Sequence, residues 1–353
     1  MPASHFLLSG CRHAQCSTHN KFEGFVRSEV DMIKNNVVLV LGAGASQPYG
    51  FQSGLGLKRE AQGIVVHNDR EFQASFFPGV LDTDEFNEFA GELKRSPIGS
   101  IDAFLEARRD FVDIGKHVIA YLMIKRENPN MFVDDKSNDS ENWYRYLFNL
   151  MTKEGLGGFK DNNLRVVTFN YDRSFEYFFV NGLMSTYGLS FKYAQEQLGH
   201  IPIFHVHGQL GKLAEVSQSA DSRIYDTLTN PKHVQTAAEG IRIIYELEGE
   251  GGDWKGYEQA WGALMQARTI IFLGFGYDST NISRVLRGDH PNTESGRIFG
   301  TTFRFTDSEV RTLIHPEIAK YDLQLVQTAA SNKKALDFIR NNLDLFLHDG
   351  GGN

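Results

Sequence analysis

The chain has 353 residues, of which 41% are hydrophobic, and its 36 Lys and Arg against 44 Asp and Glu give a formal net charge of −8. This length fits one large or two ordinary domains with a sizeable core. The acidic balance gives no basic footprint for nonspecific nucleic-acid binding, although it is compatible with a local basic patch. Two cysteines, Cys11 and Cys16, are too few for a disulfide scaffold or a four-cysteine zinc site, so we expect a reducing, cytoplasmic location. No apolar run approaches the roughly 20 residues that span a bilayer, and residues 1–8 lack the pattern of a secretory signal, so neither is expected.

The first predicted element is a strand, Val37–Leu41, which runs into the glycine turn Gly42-Ala43-Gly44. An apolar run followed by Gly-x-Gly begins like a dinucleotide-binding fingerprint. The third glycine of that fingerprint is missing, because position 47 holds Gln47. From this pattern alone, a phosphate-binding turn and a plain tight turn are equally good interpretations.

More than a hundred residues separate this strand from the next one, far more than a crossover helix requires. Within this stretch, residues 101–122 place apolar side chains at helical spacing, with Ser100 as the predicted N-cap. Residues 143–151 form a second helical pattern. We therefore predict a helical insertion at about residues 60–160, beside the sheet. It belongs to a domain over residues 36–353, which an N-terminal extension over residues 1–35 precedes.

Five more runs rich in β-branched and aromatic residues follow, and each is predicted to be a strand: Leu164–Phe169, Ile203–His207, Thr269–Leu273, Gly300–Phe305 and Leu323–Val326. Most of them are nearly continuous apolar runs, which is typical of strands that helices cover on both faces. Helical patterns alternate with them at Tyr171–Leu183, at Tyr257–Ala267 and at about residues 333–347. The alternation predicts an α/β fold, doubly wound and Rossmann-like, with a mostly parallel six-stranded sheet.

Polar or glycine-rich turns follow four of these strands, at residues 42–46, 168–172, 205–208 and 274–281. The carboxyl ends of parallel strands lie at one edge of the sheet, where open α/β folds bind their ligands. Four such turns at one edge therefore indicate a ligand site more strongly than any of them does alone.

Each turn also has a purely structural interpretation. Asn170 could cap the helix that is predicted to begin at Tyr171. His207 could be a hydrogen-bonded structural histidine, and His205, two residues earlier and so on the same strand face, competes with it as the histidine of the site. The glycines of the fourth turn could serve turn geometry alone.

The order of these motifs resembles that of the NAD-binding motifs of sirtuins: Gly-Ala-Gly-x-Ser, then Asn-x-Asp after a strand, then His-Gly, then a second glycine turn. More specifically, the segments GAGASQPYGFQSG, SIDAFL and FLGFGYD resemble those of the sirtuin-like NAD hydrolases of bacterial antiphage defence, and the resemblance covers residues 37–326. In sirtuins the glycine turn holds NAD as a substrate whose nicotinamide–ribose bond is broken, so the third glycine of dehydrogenases is not needed. The resemblance implies that residues 36–353 are an NAD-binding catalytic domain. It would be an NAD glycohydrolase that releases ADP-ribose and nicotinamide and depletes NAD in abortive infection.

The resemblance also assigns roles to residues. Asn170 would position the ribose and the attacking water, and His207 would accept a proton from that water or from a ribose hydroxyl. Backbone N–H groups of residues 42–46 would hold the pyrophosphate, so that a branched side chain at Gly44 would block binding. Asp102 is a weaker candidate, because an acidic residue in the first turn of a helix is also what the helix dipole favours. Asp172 would contact the nicotinamide amide, and the full NAD-binding set would be Gly42, Ala43, Gly44, Ser46, Asp172, Gly274, Phe275 and Gly276.

Two departures separate the chain from the protein-deacylating sirtuins. Their zinc ribbon has two Cys-x-x-Cys pairs, whereas residues 208–268 contain no cysteine, and residues 50–53 read Gly-Phe-Gln-Ser where deacylases carry Pro-Asp-Phe-Arg. Both departures favour plain NAD cleavage without a metal. NAD-dependent deacylation, ADP-ribosyl transfer and a catalytically idle NAD-sensing role remain alternatives. Relatives of this size commonly self-assemble or associate with a HerA-type ATPase or an Argonaute-like protein, so we expect a homo-oligomer or such a partner.

Overall fold

The structure of the chain, a computed structural model, describes residues 32–64, 69–76, 80–133, 141–216, 219–243, 246, 254–288, 290 and 293–347. Most of the predicted N-terminal extension, with both cysteines, lies outside the described residues. The described residues belong to one compact unit.

In the described residues, six parallel strands form the central sheet: β1 (Val37–Leu41), β2 (Leu164–Thr168), β3 (Ile203–His205), β6 (Thr269–Leu273), β7 (Arg297–Gly300) and β8 (Gln324–Val326). Two short strands, β4 (Lys212–Leu213) and β5 (Ser222–Arg223), pair separately. The order across the sheet is β3-β2-β1-β6-β7-β8. The chain thus moves outward on one side of β1 and then continues on the other side, as in the Rossmann arrangement. The predicted doubly wound, Rossmann-like α/β fold is confirmed.

Helices alternate with these strands, and between β1 and β2 the regular elements of the described chain are all helical. Short 3₁₀ or π segments connect some of them, at Gln47–Tyr49, Arg109–Phe111, Pro129–Phe132 and Val310–Ile314. No helix in the described ranges is both long enough and apolar enough to cross a membrane. The described α-helices are α1 (Ala43–Ser46), α2 (Gly54–Gln62), α3 (Arg70–Ala74), α4 (Thr83–Arg95), α5 (Ile101–Ala107), α6 (Val112–Ile124), α7 (Trp143–Met151), α8 (Gly155–Phe159), α9 (Ser174–Tyr187), α10 (Phe191–Leu198), α11 (Pro231–Gly240), α12 (Trp254–Gln266), α13 (Ser279–Val285), α14 (Asp307–Glu309), α15 (His315–Ala319), α16 (Ala335–Asn341) and α17 (Asp344–Leu347).

The strands β1 and β6 lie at the centre of the sheet because their sequences, VVLVL and TIIFL, are almost entirely apolar. All five residues of each strand are buried. They pair in register, from Val37 with Thr269 to Leu41 with Leu273. A strand that is apolar on both faces is stable only where other elements cover both faces of the sheet.

The strand β7 lies three residues before its predicted position of 300–305. The prediction followed the β-favouring residues after Gly300, but the chain leaves the sheet there, since Arg304 has φ +75° and Phe303 is exposed. Ile298 and Gly300 supply the buried positions of β7 instead. A glycine is needed at position 300 because a Cβ would lie 2.8 Å from Cβ of Phe272 in the neighbouring strand.

Other element bounds also differ from the prediction, most of them by one to four residues, and three of the differences bear on the site or divide an element. The strand β3 stops at His205, because Gly208 adopts φ +72° and turns the chain. Helix α9 begins at Ser174 rather than at Tyr171. The C-terminal helical pattern is divided into α16 and α17 at Asn342, whose φ of −132° is not helical.

The helical insertion fixes the turn after β1 through buried polar contacts. Ser100 caps α5 as predicted, accepting a hydrogen bond from the N–H of Ala103 (3.2 Å). Trp143, fully buried at the start of α7, donates from Nε1 to the carbonyl of Ala45 (2.9 Å). The insertion therefore sets the position of α1, the first element at the ligand-binding edge of the sheet.

Candidate functional site

Four turns meet at the carboxyl ends of β1, β2, β3 and β6, where the strand order reverses. Asn170, after β2, donates from Nδ2 to the carbonyl of Gly42, after β1 (3.0 Å). The ring of Phe169 lies edge-on to His207, after β3, and to Phe275, after β6, with ring centres 5.3 and 5.2 Å apart. The structure thus brings together the turns that sequence analysis assigned to one edge. This crevice is where Rossmann folds bind ligands.

Glycines of the first and fourth turns allow these two turns to pack against each other. The N–H of Gly42 donates to the carbonyl of Leu273 (3.0 Å), and that of Gly44 to the carbonyl of Gly274 (2.9 Å). A Cβ on Gly42 would lie 2.6 Å from the carbonyl oxygen of Gly274, and a Cβ on Gly44 would lie 2.8 Å from the same oxygen. Gly274 itself has φ +59°. Gly276 differs, because it is exposed and a Cβ there would have no atom within 4 Å.

The predicted phosphate cradle of residues 42–46 is therefore only partly open. The N–H groups of Gly42 and Gly44 donate to the turn after β6, and the N–H of Ala45 donates to the carbonyl of Gly42 (2.9 Å). These three N–H groups are bound within the protein and are not available to a pyrophosphate in this conformation. A branched side chain at Gly44 was expected to block NAD binding by occupying the space of the pyrophosphate. That reason is wrong, because the side chain would first clash with the backbone of Gly274.

Asn170 is held by several hydrogen bonds. Its Nδ2 donates to the carbonyl of Gly42 and to Oγ of Ser46, both at 3.0 Å, and its backbone N–H donates to Oγ1 of Thr168 (3.1 Å). The two side-chain bonds use both protons of the carboxamide and fix its orientation. Its Oδ1 is then the atom that is left to accept a hydrogen bond from a ligand. Asn170 does not cap α9, which begins only at Ser174.

Asp172 belongs to a buried network that joins the turn after β2 to the insertion. Its Oδ1 accepts hydrogen bonds from the N–H (3.1 Å) and the hydroxyl of Ser174. Oγ of Ser174 lies 2.8 Å from the hydroxyl of Tyr144 in α7. Burial raises the pKa of Asp172, and hydrogen bonds from Ser174 and Ser46 oppose that rise. This supporting role was not foreseen from the sequence, and a contact with a nicotinamide amide stays a prediction.

His207 is buried in the turn after β3, beside the ring of Phe169. Burial lowers the pKa of His207 to about 4, and the positive charge of Arg284 acts in the same direction. The imidazole is therefore neutral near pH 7 and able to accept a proton.

The structure separates the two histidines that sequence analysis placed on one strand face. His205 is the last residue of β3, and its ring contacts the backbone carbonyl of Asn170 through Nδ1 (3.0 Å) and the carboxylate of Glu176 through Nε2 (2.6 Å). His207 follows in a turn, beside Phe169. The two rings therefore have different partners, and they are suited to different roles.

Asp102 reaches the site through Tyr171. The hydroxyl of Tyr171 donates to Oδ1 of Asp102 in the first turn of α5, and the ring of Tyr171 lies 6.3 Å from that of His207. Burial raises the pKa of Asp102, and the hydrogen bond from Tyr171 opposes that rise. Neither Phe169 nor Tyr171 was predicted to belong to the site, although both are adjacent to Asn170 in the sequence, and that adjacency was the available signal.

A large open cleft lies along β3 and reaches the turn after it, at His205, Val206 and Gly208. Its volume is about 1440 Å³, and Glu176, His205, Lys212 and Arg242 are among the residues that line it. Neither the two glycine turns nor the side chains of Asn170 and His207 belong to its lining. Among the described residues, no group of three or more His, Cys, Asp or Glu is placed to hold a metal ion.

No protein-family model matches the chain, and no curated protein matches it either. The features that bear on function are therefore the geometry of the four turns and the motifs that they carry.

Proposed function

We propose that this chain is an NAD glycohydrolase, which cleaves the nicotinamide–ribose bond of NAD with water to give ADP-ribose and nicotinamide. The observation that carries the proposal is the position of Asn170 and His207 at the ligand-binding edge of the sheet, in the turns beside the reversal of the strand order between β1 and β6. A hydrogen-bond acceptor of fixed orientation and a neutral imidazole lie in neighbouring turns there, at the edge where this fold binds nucleotides. The sirtuin-like order of the motifs supports NAD as the nucleotide.

Hydrolysis of the nicotinamide–ribose bond requires few protein groups. Departure of nicotinamide leaves a ribose cation, which a water molecule attacks at the carbon that carried nicotinamide. The Oδ1 of Asn170 would accept a hydrogen bond from that water or from a ribose hydroxyl. His207 would take up the proton that the water loses, and a positioned general base of this kind contributes typically about 10²–10⁴-fold to a rate.

Aromatic side chains supply the apolar surroundings of this step. Phe169 contacts both His207 and Phe275, so the proton acceptor is shielded from bulk water. Exclusion of water strengthens the electrostatic interactions within such a site. It also limits the attack on the ribose cation to a positioned water.

The biological role is proposed from the sequence resemblance alone. The chain would deplete NAD in the bacterial cytoplasm during abortive infection, as part of an antiphage defence. Restraint of a toxic activity would come from self-assembly or from a partner such as a HerA-type ATPase or an Argonaute-like protein. Light scattering that shows a fully active monomer would contradict this expectation.

The catalytic proposal is tested by nicotinamide release from NAD, together with NAD binding by calorimetry. Asn170→Ala and His207→Ala should each abolish release while the far-ultraviolet circular dichroism stays that of the wild type. His233→Gln is the matched control, because this histidine contacts the carbonyl of Leu228 outside the crevice. Full activity of His207→Ala with loss of activity in His205→Ala would reassign the proton acceptor. A wild-type protein that neither binds nor cleaves NAD would overturn the proposal.

A further inference from the structure

His205 contacts Asn170 through the main chain rather than the side chain. Its Nδ1 lies 3.0 Å from the backbone carbonyl oxygen of Asn170, and its Nε2 lies 2.6 Å from Oε1 of Glu176 in the first turn of α9. The side chains of His205 and Glu176 are only 9% and 14% exposed. The imidazole therefore bridges the turn after β2 to the start of α9.

Both partners of this ring are hydrogen-bond acceptors. A backbone carbonyl and an ionised carboxylate carry no proton to donate, and a neutral imidazole carries a single N–H. Two short contacts to acceptors are satisfied at once only when both ring nitrogens are protonated. A neutral ring beside a protonated carboxyl group would satisfy the same geometry, but imidazole is a stronger base than a carboxylate, so the proton belongs on the ring.

The charges around the ring favour the same state. Burial by itself lowers the pKa of His205, but Glu176 from α9 and Asp172 from the preceding turn raise it, and the net shift is upward. Lys212 and Arg242 line the same cleft as His205 and Glu176. Lys212 pairs with Asp221 (2.5 Å), and Arg242 donates to backbone carbonyls.

We infer that His205 is a positioning residue whose imidazolium, anchored by Glu176, holds the backbone carbonyl of Asn170 so that the carboxamide presents Oδ1 to the ligand. The carboxamide is already held by Gly42 and Ser46, and His205 holds the backbone carbonyl of the same residue. As the pH rises and the ring loses one proton, one of its two contacts is lost. The expected effect of His205 on the reaction rate rests on the proposed NAD cleavage, whereas its two contacts, with Asn170 and Glu176, do not.

The bridge is tested without activity by a proton NMR titration of histidine ring signals, in which His205→Gln identifies the signal of His205. In the wild type this signal should titrate above pH 6.5. In Glu176→Gln it should titrate at lower pH, because burial then acts without a neighbouring carboxylate. A wild-type signal that titrates at or below pH 6.5, or one that Glu176→Gln does not move, would overturn the bridge.

The positioning role is tested by kcat and KM for NAD between pH 6 and 9. Wild-type kcat should fall as the pH rises through the pKa of His205, and His205→Gln should lower kcat by about 10- to 100-fold with little change in KM, because a misplaced group affects the reacting geometry most. Glu176→Gln should move the alkaline fall to lower pH, and His233→Gln should leave it in place. An alkaline fall that is absent, or that Glu176→Gln leaves unchanged, would refute the role.

Failure of this inference can be told apart from failure of the proposed function. If the wild type releases no nicotinamide, NAD cleavage is refuted, and the ring titration still decides whether His205 bridges the two elements. If His205→Gln does not fold, Glu176→Gln provides both the titration and the pH profile.

Discussion

The close approach of the turns after β1 and β6 predicts that Gly44→Ala destabilises the fold. The added Cβ would lie 2.8 Å from both Cα and the carbonyl oxygen of Gly274, whereas ordinary van der Waals contacts begin at 3.4 Å. Gly274 cannot move aside easily, because its φ is +59° and its N–H donates to Oγ1 of Thr301 (2.8 Å). Overpacking costs about 1–3 kcal/mol, and loss of the hydrogen bond from Gly44 to Gly274 adds about 1 kcal/mol. We expect the free energy of unfolding to fall by about 2–4 kcal/mol.

Gly276→Ala is the matched control for this prediction. Gly276 belongs to the same turn as Gly274, but a Cβ there would have no atom within 4 Å, and its φ is not positive. Its free energy of unfolding should stay within about 0.5 kcal/mol of the wild type. Urea denaturation followed by tryptophan fluorescence measures both variants, and Trp143 reports on the turn itself through its hydrogen bond to Ala45. A Gly44→Ala protein with the wild-type midpoint would refute the packing argument.

These variants also separate folding from binding. A loss of NAD affinity in a Gly44 variant does not locate the pyrophosphate, because the same change disturbs the contact with Gly274. Gly276→Val projects its side chain into the open space beside the turn, where a ligand would lie. Reduced NAD affinity in Gly276→Val, at unchanged stability, would support the crevice as the binding site.

Three further predictions concern the buried His207, the buried ion pairs of Glu127 and the removal of metal ions. The pKa of His207 is depressed from 6.5 to about 4, so between these pH values the unfolded chain binds a proton that the folded chain does not. The free energy of unfolding should therefore fall by up to about 3 kcal/mol as the pH falls from 7 towards 4. Urea titrations should show a smaller fall in His207→Gln. Glu127→Gln should lower the free energy of unfolding in urea titrations by about 3–5 kcal/mol, because it removes the carboxylate that pairs with two fully buried arginines. Glu317→Gln, which breaks a partly exposed pair with Lys320, should change stability by less than about 1 kcal/mol. A chelator should leave the melting temperature and nicotinamide release unchanged, and a loss of either would point to a metal site that the described residues do not show.

The sheet was predictable where the apolar pattern is unbroken. The observed bounds of Val37–Leu41 and Thr269–Leu273 equal the predicted ones, because each run is buried on both faces and the chain turns at a glycine directly after it. The position of β7 was predicted wrongly for two reasons. Its sequence RIFG begins with a charged residue and buries only alternate positions, and the residues after it have the stronger β-forming composition. Local composition cannot show where a strand finds its hydrogen-bonding partner, and in β7 the pairing with Phe272 decides the position.

The site was predictable as a set of turns but not as a set of contacts. Strand ends in a parallel sheet lie at one edge, so the turns that contain Gly42, Asn170 and His207 could be assigned to one place from the sequence. The pairing of His205 with Glu176 depends instead on how α9 packs against β3, across 29 positions of the chain. The bonding of the Gly44 N–H to Gly274 depends likewise on a contact between distant turns. Neither contact leaves a local pattern in the sequence.

The buried triad of Glu127, Arg173 and Arg223 connects the helical insertion to the turn that carries Asn170. Charged residues are usually exposed, so nothing in the sequence indicated that these three are fully buried and paired. Arg173 directly follows Asp172, and its guanidinium donates to both carboxylate oxygens of Glu127, just after α6. The turn that carries Asn170 is therefore tied to the insertion at Arg173, to β3 at the carbonyl of Asn170, and to the turn after β1 at its carboxamide. Because these ties come from three separate elements, a displacement of any one of them acts on the orientation of Oδ1, the atom on which the proposed chemistry depends.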